Sequence, residues 1–160
     1  MLKVQIITVG KLKEKFFVDA CAEYAKRLSR FISLQIVEIA EAPLPKDDSP
    51  ALTAQALEKE AQAIQNAIPD AAYVVALCVE GKMIDSPALA AEIAALPQMG
   101  YSSLCFIVGS SCGLSPVIKK RAHRRLSFSP MTFPHQLMRV ILLEQLYRAQ
   151  KINSGEKYHK

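Results

Sequence analysis

Three stretches of this chain hold residues that can do chemistry together. It ends in Tyr158-His159-Lys160: an aromatic ring, an imidazole and an ammonium that can stack, transfer protons and pair with phosphate. Gly109-Ser110-Ser111-Cys112-Gly113 follows an apolar run, and its small residues let a ligand approach backbone that offers free N–H groups. Leu126 to His135 (LSFSPMTFPH) combines Pro130 and Pro134, several hydroxyls, and the large apolar Phe128, Met131 and Phe133. Such a stiff apolar segment can wall a pocket for a flat aromatic ligand such as adenine. Each stretch also has a plainer reading, as a frayed terminus, a tight strand-to-helix turn and a connector tucked into the core. Glu80-Gly81-Lys82 is a further candidate loop. The glycine turn is neither GxGxxG nor GxxxxGK[ST], so the standard dinucleotide and P-loop sites fail on spacing.

Charge converges on the same region. Residues 115–160 carry ten Lys or Arg against two acids, a net +8, whereas residues 1–114 carry ten against thirteen, a net −3. A one-sided basic stretch is the electrostatic footprint of a polyanion binder, because cations that neutralise phosphates release condensed counterions. The candidates are Lys119, Lys120, Arg121, Arg124, Arg125, Arg139, Arg148 and Lys151. A solvated helix face is the alternative for any one of them.

A length of 160 residues fits one domain over 1–160 with a single proper core. Cys21, Cys78, Cys105 and Cys112 show no CxxC spacing, and no signal-peptide pattern precedes them, so free thiols in the cytoplasm are expected. A zinc set of Cys105, Cys112, His123 and His135 matches no common spacing, and no metal is expected. No apolar run approaches the ~20 residues that cross a bilayer, so the reading is a soluble protein without a membrane partner.

These stretches must be positioned by strands and helices that alternate along the chain. Leu2–Val9, Leu34–Ile39, Tyr73–Val79 and Leu104–Val108 read as strands, the last two nearly continuous in apolar residues, as buried parallel strands are. Leu126–Phe128 is a short fifth candidate. Lys13–Arg30, Leu52–Ala67, Pro87–Ala95 with Ser86 as its cap, a short basic helix opened by Ser115-Pro116, and Gln136–Gln150 read as helices. Pro43, Pro45, Asp47, Asp48, Ser49 and Pro50 mark a mobile loop. The class is therefore α/β with a mainly parallel sheet flanked by helices, where ligands bind beyond the carboxyl ends of the strands. The apolar arc of Gln136–Gln150 suits either a buried central helix or one packed across a homodimer.

Four motifs together carry a resemblance: Leu77-Cys-Val-Glu-Gly81-Lys82, Val108-Gly-Ser-Ser-Cys-Gly-Leu-Ser115, Leu126-Ser-Phe-Ser-Pro-Met-Thr-Phe-Pro-His-Gln136, and Tyr147-Arg-Ala with Gly155-Glu-Lys-Tyr-His-Lys160. With the opening Val9-Gly10-Lys11-Leu12-Lys13, the chain resembles over its whole length the small single-domain SPOUT methyltransferases that act on large-subunit ribosomal RNA. That resemblance implies a C-terminal trefoil knot and a homodimer. It implies S-adenosylmethionine bound in the knot, and methylation at N3 of a pseudouridine in 23S rRNA of the assembled ribosome. It assigns cofactor contacts to Leu77, Gly109, Phe128, Ser129, Pro130, Met131, Thr132 and Phe133, and gives Tyr158 and His159 of the partner subunit the closing of the site over the base.

N3 of a uracil-like ring is protonated at neutral pH, so a base is needed, and His159 is the candidate by type, with Tyr158 stacking on the substrate. This chain departs from the family pattern at Ser110, where a second glycine is usual, and at Cys78, where an acid is frequent. Two rival readings remain: a SPOUT enzyme acting on tRNA, and a non-catalytic ribosome-associated RNA-binding factor.

Overall fold

The computed structural model describes residues 1–44, 46–47 and 49–160. The chain forms β1 (Leu2–Val9), α1 (Lys15–Leu28), β2 (Ile32–Ile39), α2 (Pro50–Ala67), β3 (Tyr73–Met83), α3 (Ser86–Ala95), β4 (Ser103–Val108), α4 (Pro116–Arg121), β5 (Arg124–Ser127) and α5 (His135–Asn153). The strands make one sheet in the order β2-β1-β4-β3-β5, with every pair parallel. Pro45 and Asp48 of the expected loop lie outside the described residues.

Period-two patterning separates the two faces of the sheet. Val4 and Ile6 of β1, Val75 of β3 and Leu104, Phe106 and Val108 of β4 join a core with α1, α3 and α5. The intervening Ile7, Val9, Val74, Ala76, Cys105 and Ile107 meet Ala61 and Ile64 of α2 and Ile118 of α4. The central strands are buried on both faces, which is why they read as almost unbroken apolar runs.

The observed elements differ from the sequence expectation in ways that shape the site. β3 does not end at Val79. Leu77 and Lys82 both pair with Leu126, so residues 78–81 loop out of the ladder before the strand resumes to Met83. Glu80-Gly81-Lys82 is therefore not a loop after a strand: Glu80 and Gly81 lie in a bulge within it, and Lys82 is back in the ladder. Asp85, not Ser86, caps α3: its Oδ1 accepts the Ala88 N–H at 2.8 Å, while the Ser86 hydroxyl bonds Gln145 Oε1 on α5 at 2.6 Å. The last strand covers Arg124–Ser127, which leaves Phe128 in the segment that follows.

At Gly81 the bulge approaches β5 so closely that a β-carbon would lie 2.7 Å from the Leu126 carbonyl carbon and 2.8 Å from that of Arg125. Backbone cannot yield there as a flexible side-chain tip can. Gly81→Ala is expected to lower Tm by about 5 °C or more, read by thermal unfolding. An unchanged melting curve would mean that the two segments separate freely.

Candidate active site

The carboxyl ends of β3, β4 and β5 open into one cavity of about 720 Å³. Its walls come from three of the four motifs that carry the resemblance: Leu77–Glu80, Val108–Leu114 and Leu126–His135 apart from Pro130, with Lys119 and Met138 beside them. Crossover connections in a parallel sheet make these loops converge. Of the expected cofactor contacts, Leu77, Gly109, Phe128, Ser129, Met131, Thr132 and Phe133 line the cavity, and Pro130 does not.

Local chemistry shapes each wall. At Gly109 a β-carbon would lie 2.4 Å from the Gly113 carbonyl oxygen, so the turn closes on itself only with glycine there. Gly113 takes φ +81°, and its N–H donates to the Ser110 carbonyl at 2.9 Å. Ser110 does not share the positive φ that a second glycine would tolerate. Its hydroxyl makes a contact of its own, donating to Glu60 Oε2 at 3.2 Å. In the third wall the Ser127 hydroxyl donates to the Ser129 carbonyl at 3.0 Å, and the Met131 N–H donates to Ser129 Oγ at 2.9 Å, which folds the segment without a regular element.

Tyr158 and His159 are not at this cavity within the chain. The Tyr158 hydroxyl donates to Glu144 Oε1 at 3.1 Å, its ring packs edge-on against Tyr147 at 4.9 Å, and the Arg148 guanidinium lies over it at 4.8 Å. Arg148 Nη1 lies 3.3 Å from His159 Nδ1. Met138, which lines the cavity, and Arg148, which holds the tail, are separated by about 15 Å along α5 at 1.5 Å per residue. Burial, reinforced by the Glu144 carboxylate, pushes the Tyr158 phenol up to about 12, so it is a neutral donor at working pH.

The basic residues divide into two sets. Arg139 is 3 % exposed and is committed internally, donating to Glu38 Oε2 at 2.9 Å and to the Gly10 carbonyl at 3.1 Å. It anchors the β1–α1 turn to α5 and drops out of the RNA-contacting set, since a buried guanidinium cannot reach a phosphate. Lys119 pairs with Glu80, Arg124 with Glu92 at 2.6 Å, Arg148 with Glu144 at 2.6 Å, and Lys151 with Glu156. Lys120, Arg121 and Arg125 are exposed and form no ion pair among the described residues. Among those residues no group of three His, Cys, Asp or Glu is placed to hold a metal. Cys105 is fully buried in β4, where burial pushes its thiol up to about 12. No described helix is long and apolar enough to cross a membrane.

Residues 2–159 match the family described as "Predicted SPOUT methyltransferase". The chain belongs to the SPOUT methyltransferase family. It is 55% identical over 159 residues to a protein of Bifidobacterium adolescentis named ribosomal RNA large subunit methyltransferase H, covering 99% of this chain and 100% of that one. Proteins of the same name from Streptococcus thermophilus and Listeria monocytogenes are 48% and 47% identical over the same shares. Among solved structures, a probable methylase family protein from Haemophilus influenzae superposes with a TM-score of 0.59 at 16% identity, covering 98% of this chain and 70% of that one. A probable methyltransferase from Bordetella pertussis does so with 0.55 at 15% identity, over 93% and 96%. These likenesses bear out the α/β fold.

Sequence reasoning missed Glu60. It stands in an Ala-, Glu-, Gln- and Leu-rich stretch that reads only as a good helix former, yet it is 4 % exposed and lies behind the glycine turn. The signal was its place between Ala56 and Ile64 at i, i+4 spacing, on the buried stripe of α2. Desolvation raises its pKa, partly offset by hydrogen bonds from Ala42 and Ser110. A carboxyl whose folded pKa is raised contributes stability below its unfolded value and loses it as pH rises through the folded one. Glu60→Gln is therefore expected to gain in Tm over the parent as pH rises from the glutamate range to neutrality. Melting curves across that range test it, and a gap that narrows with pH would mean that the hydrogen bonds outweigh burial.

Proposed function

We propose that this chain is an S-adenosylmethionine-dependent methyltransferase that methylates N3 of a pseudouridine in 23S rRNA of the assembled ribosome. In this reading it is a single SPOUT domain over residues 1–160, works as a cytoplasmic homodimer, and closes its cofactor site with a C-terminal trefoil knot. The observation that carries the reading is the convergence of Leu77, Gly109 and the Phe128–Phe133 segment on one cavity, in a chain 45–55% identical to relatives named ribosomal RNA large subunit methyltransferase H.

The cavity suits the cofactor. Leu77, Leu126, Phe128 and Met138 offer apolar surface for a flat base, and the Gly109–Gly113 turn offers backbone beside it. Gly109 could carry no side chain without striking Gly113. Bound there, S-adenosylmethionine supplies an electrophilic methyl on a sulfonium. The protein's share is alignment of the attacking nitrogen, removal of its proton and exclusion of water, and positioning carries much of such a displacement. His159 accepts the N3 proton and Tyr158, neutral at working pH, stacks on the base. The close passage of β5 under the 78–81 bulge at Gly81 suits threading of the C-terminal segment into a knot.

A tail held about 15 Å along α5 from its own cavity supports a site shared between two copies. Leu137 and Ile141, half-buried on α5, and the exposed Val79 and Met131 at the cavity rim supply apolar surface for the pairing. Lys120, Arg121 and Arg125, with the paired Lys119, Arg124, Arg148 and Lys151 on the same basic segment, meet rRNA phosphates.

The deciding assay is transfer of labelled methyl from S-adenosylmethionine to ribosomes lacking the modification, with free tRNA and naked rRNA alongside. Label at N3 of a pseudouridine in 23S rRNA, from ribosomes only, is the expected result. Label on tRNA would move the substrate, and no label would favour the non-catalytic factor. Removing Tyr158–Lys160 is expected to abolish transfer while leaving the circular-dichroism spectrum unchanged. Ribosome affinity should fall steeply with salt, and Lys120→Ala with Arg125→Ala should each reduce the slope of log K against log salt by about 1.

A further inference from the structure

The geometry points to Glu60 as a positioning residue for the cofactor, its buried carboxylate holding Ser110 and through it the Gly109–Gly113 turn in the shape that receives S-adenosylmethionine. The inference rests on the cofactor reading above and extends it to a residue on α2 that touches neither cofactor nor substrate.

A carboxylate 4 % exposed is costly to bury unless its oxygens are used. No cation pairs with Glu60 among the described residues, and the charged group that bears on it is another acid, Glu41. Glu60 therefore forms no structural ion pair. Its oxygens take two hydrogen bonds from different loops: Oε1 accepts the Ala42 N–H at 3.1 Å, and Oε2 accepts the Ser110 hydroxyl at 3.2 Å. Ala42 belongs to the connection between β2 and α2, and Ser110 to the turn after β4. Both loops leave the carboxyl end of the sheet, so one side chain fixes the spacing between them.

The turn itself leaves little other means of control. Gly109 packs against Gly113 backbone, Gly113 adopts φ +81° with nothing within 4 Å of where a β-carbon would stand, and Ser111 is exposed. Such a segment has many conformations of similar energy. Ser110 is 8 % exposed and is tied at both ends, its carbonyl accepting from Gly113 at 2.9 Å and its hydroxyl donating to Glu60. Because Glu60 is itself held by the Ala42 N–H, its hydrogen bond to the Ser110 hydroxyl is well suited to select one conformation before the ligand arrives.

Ser110→Ala removes the tie and almost no volume. Calorimetric titration with S-adenosylmethionine is expected to show affinity about tenfold below the parent, with the deficit falling on the cofactor KM more than on kcat and with Tm little changed. Ser110→Thr, which keeps the hydroxyl, should recover much of it. Glu60→Gln and the double variant complete a cycle: if the two side chains act as one device, the double variant binds about as well as the weaker single one. Parent-like affinity in Ser110→Ala, or losses that simply multiply in the double variant, would overturn the assignment while leaving the enzyme reading intact. A parent protein that fails to bind S-adenosylmethionine would remove the cofactor reading and this inference with it, an outcome seen before any variant is compared.

Discussion

At Gly81 a β-carbon would stand 2.7 Å from the backbone of β5, and at Gly109 one would stand 2.4 Å from the far side of its own turn. These two approaches set the dimensions of everything near the cavity. The first fixes how closely the bulge in β3 lies on the last strand, and so where Leu77 and the Phe128–Phe133 segment face one another. The second fixes the curvature of the turn after β4. Both are contacts of backbone on backbone, which cannot relax by a change of rotamer, so the main chain sets how near the walls come and the Glu60–Ser110 tie selects among the turn conformations that remain.

The strands were legible because burial on two faces forces apolar runs, and β1 in particular was readable to its last residue. The bulge was not legible. Cys78, Val79, Glu80 and Gly81 leave the ladder and so look like the end of a strand, and only the pairing of both Leu77 and Lys82 with Leu126 reveals that β3 continues. The candidate cavity was readable in composition, since glycines and a proline-rich apolar segment signal close approach and stiff walls. Pairing partners were hidden because they are tertiary facts. Nothing within the sequence near Arg139 says that Glu38 and the Gly10 carbonyl wait for it about a hundred residues away. Ser86 and Asp85 are both good caps by type, and the choice was made by Gln145 on a distant helix taking the serine.

Charge shows the same division between count and placement. The excess of cations in residues 115–160 is real, but several are matched by acids from elsewhere: Glu38 for Arg139, Glu80 for Lys119 and Glu92 for Arg124. The partly exposed pairs of Lys119 and Arg124 add little to stability. They do orient side chains, which leaves Lys120, Arg121 and Arg125 as the exposed cations of α4 and β5 without an ion pair among the described residues. Attraction of a polyanion depends on the net field and survives pairing in part, whereas the unpaired cations reach a phosphate without first giving up an acid.

α5 links these parts. His135 and Met138 at its start line the cavity, Arg139 one residue further locks the β1–α1 turn, and Glu144, Tyr147 and Arg148 hold the tail one helix-half away. A single straight helix cannot bring its own two ends together, so no adjustment of side chains within one chain joins tail to cavity. A twofold axis can. In the homodimer proposed above, two copies of α5 running in opposite directions would set the tail-bearing half of each beside the cavity-lining half of the other, and a self-complementary interface repeats that arrangement twice. The Glu144 and Arg148 contacts then have a reason beyond fold stability: they present Tyr158 and His159 on a rigid helix, where a free terminus would have to be ordered anew at each turnover.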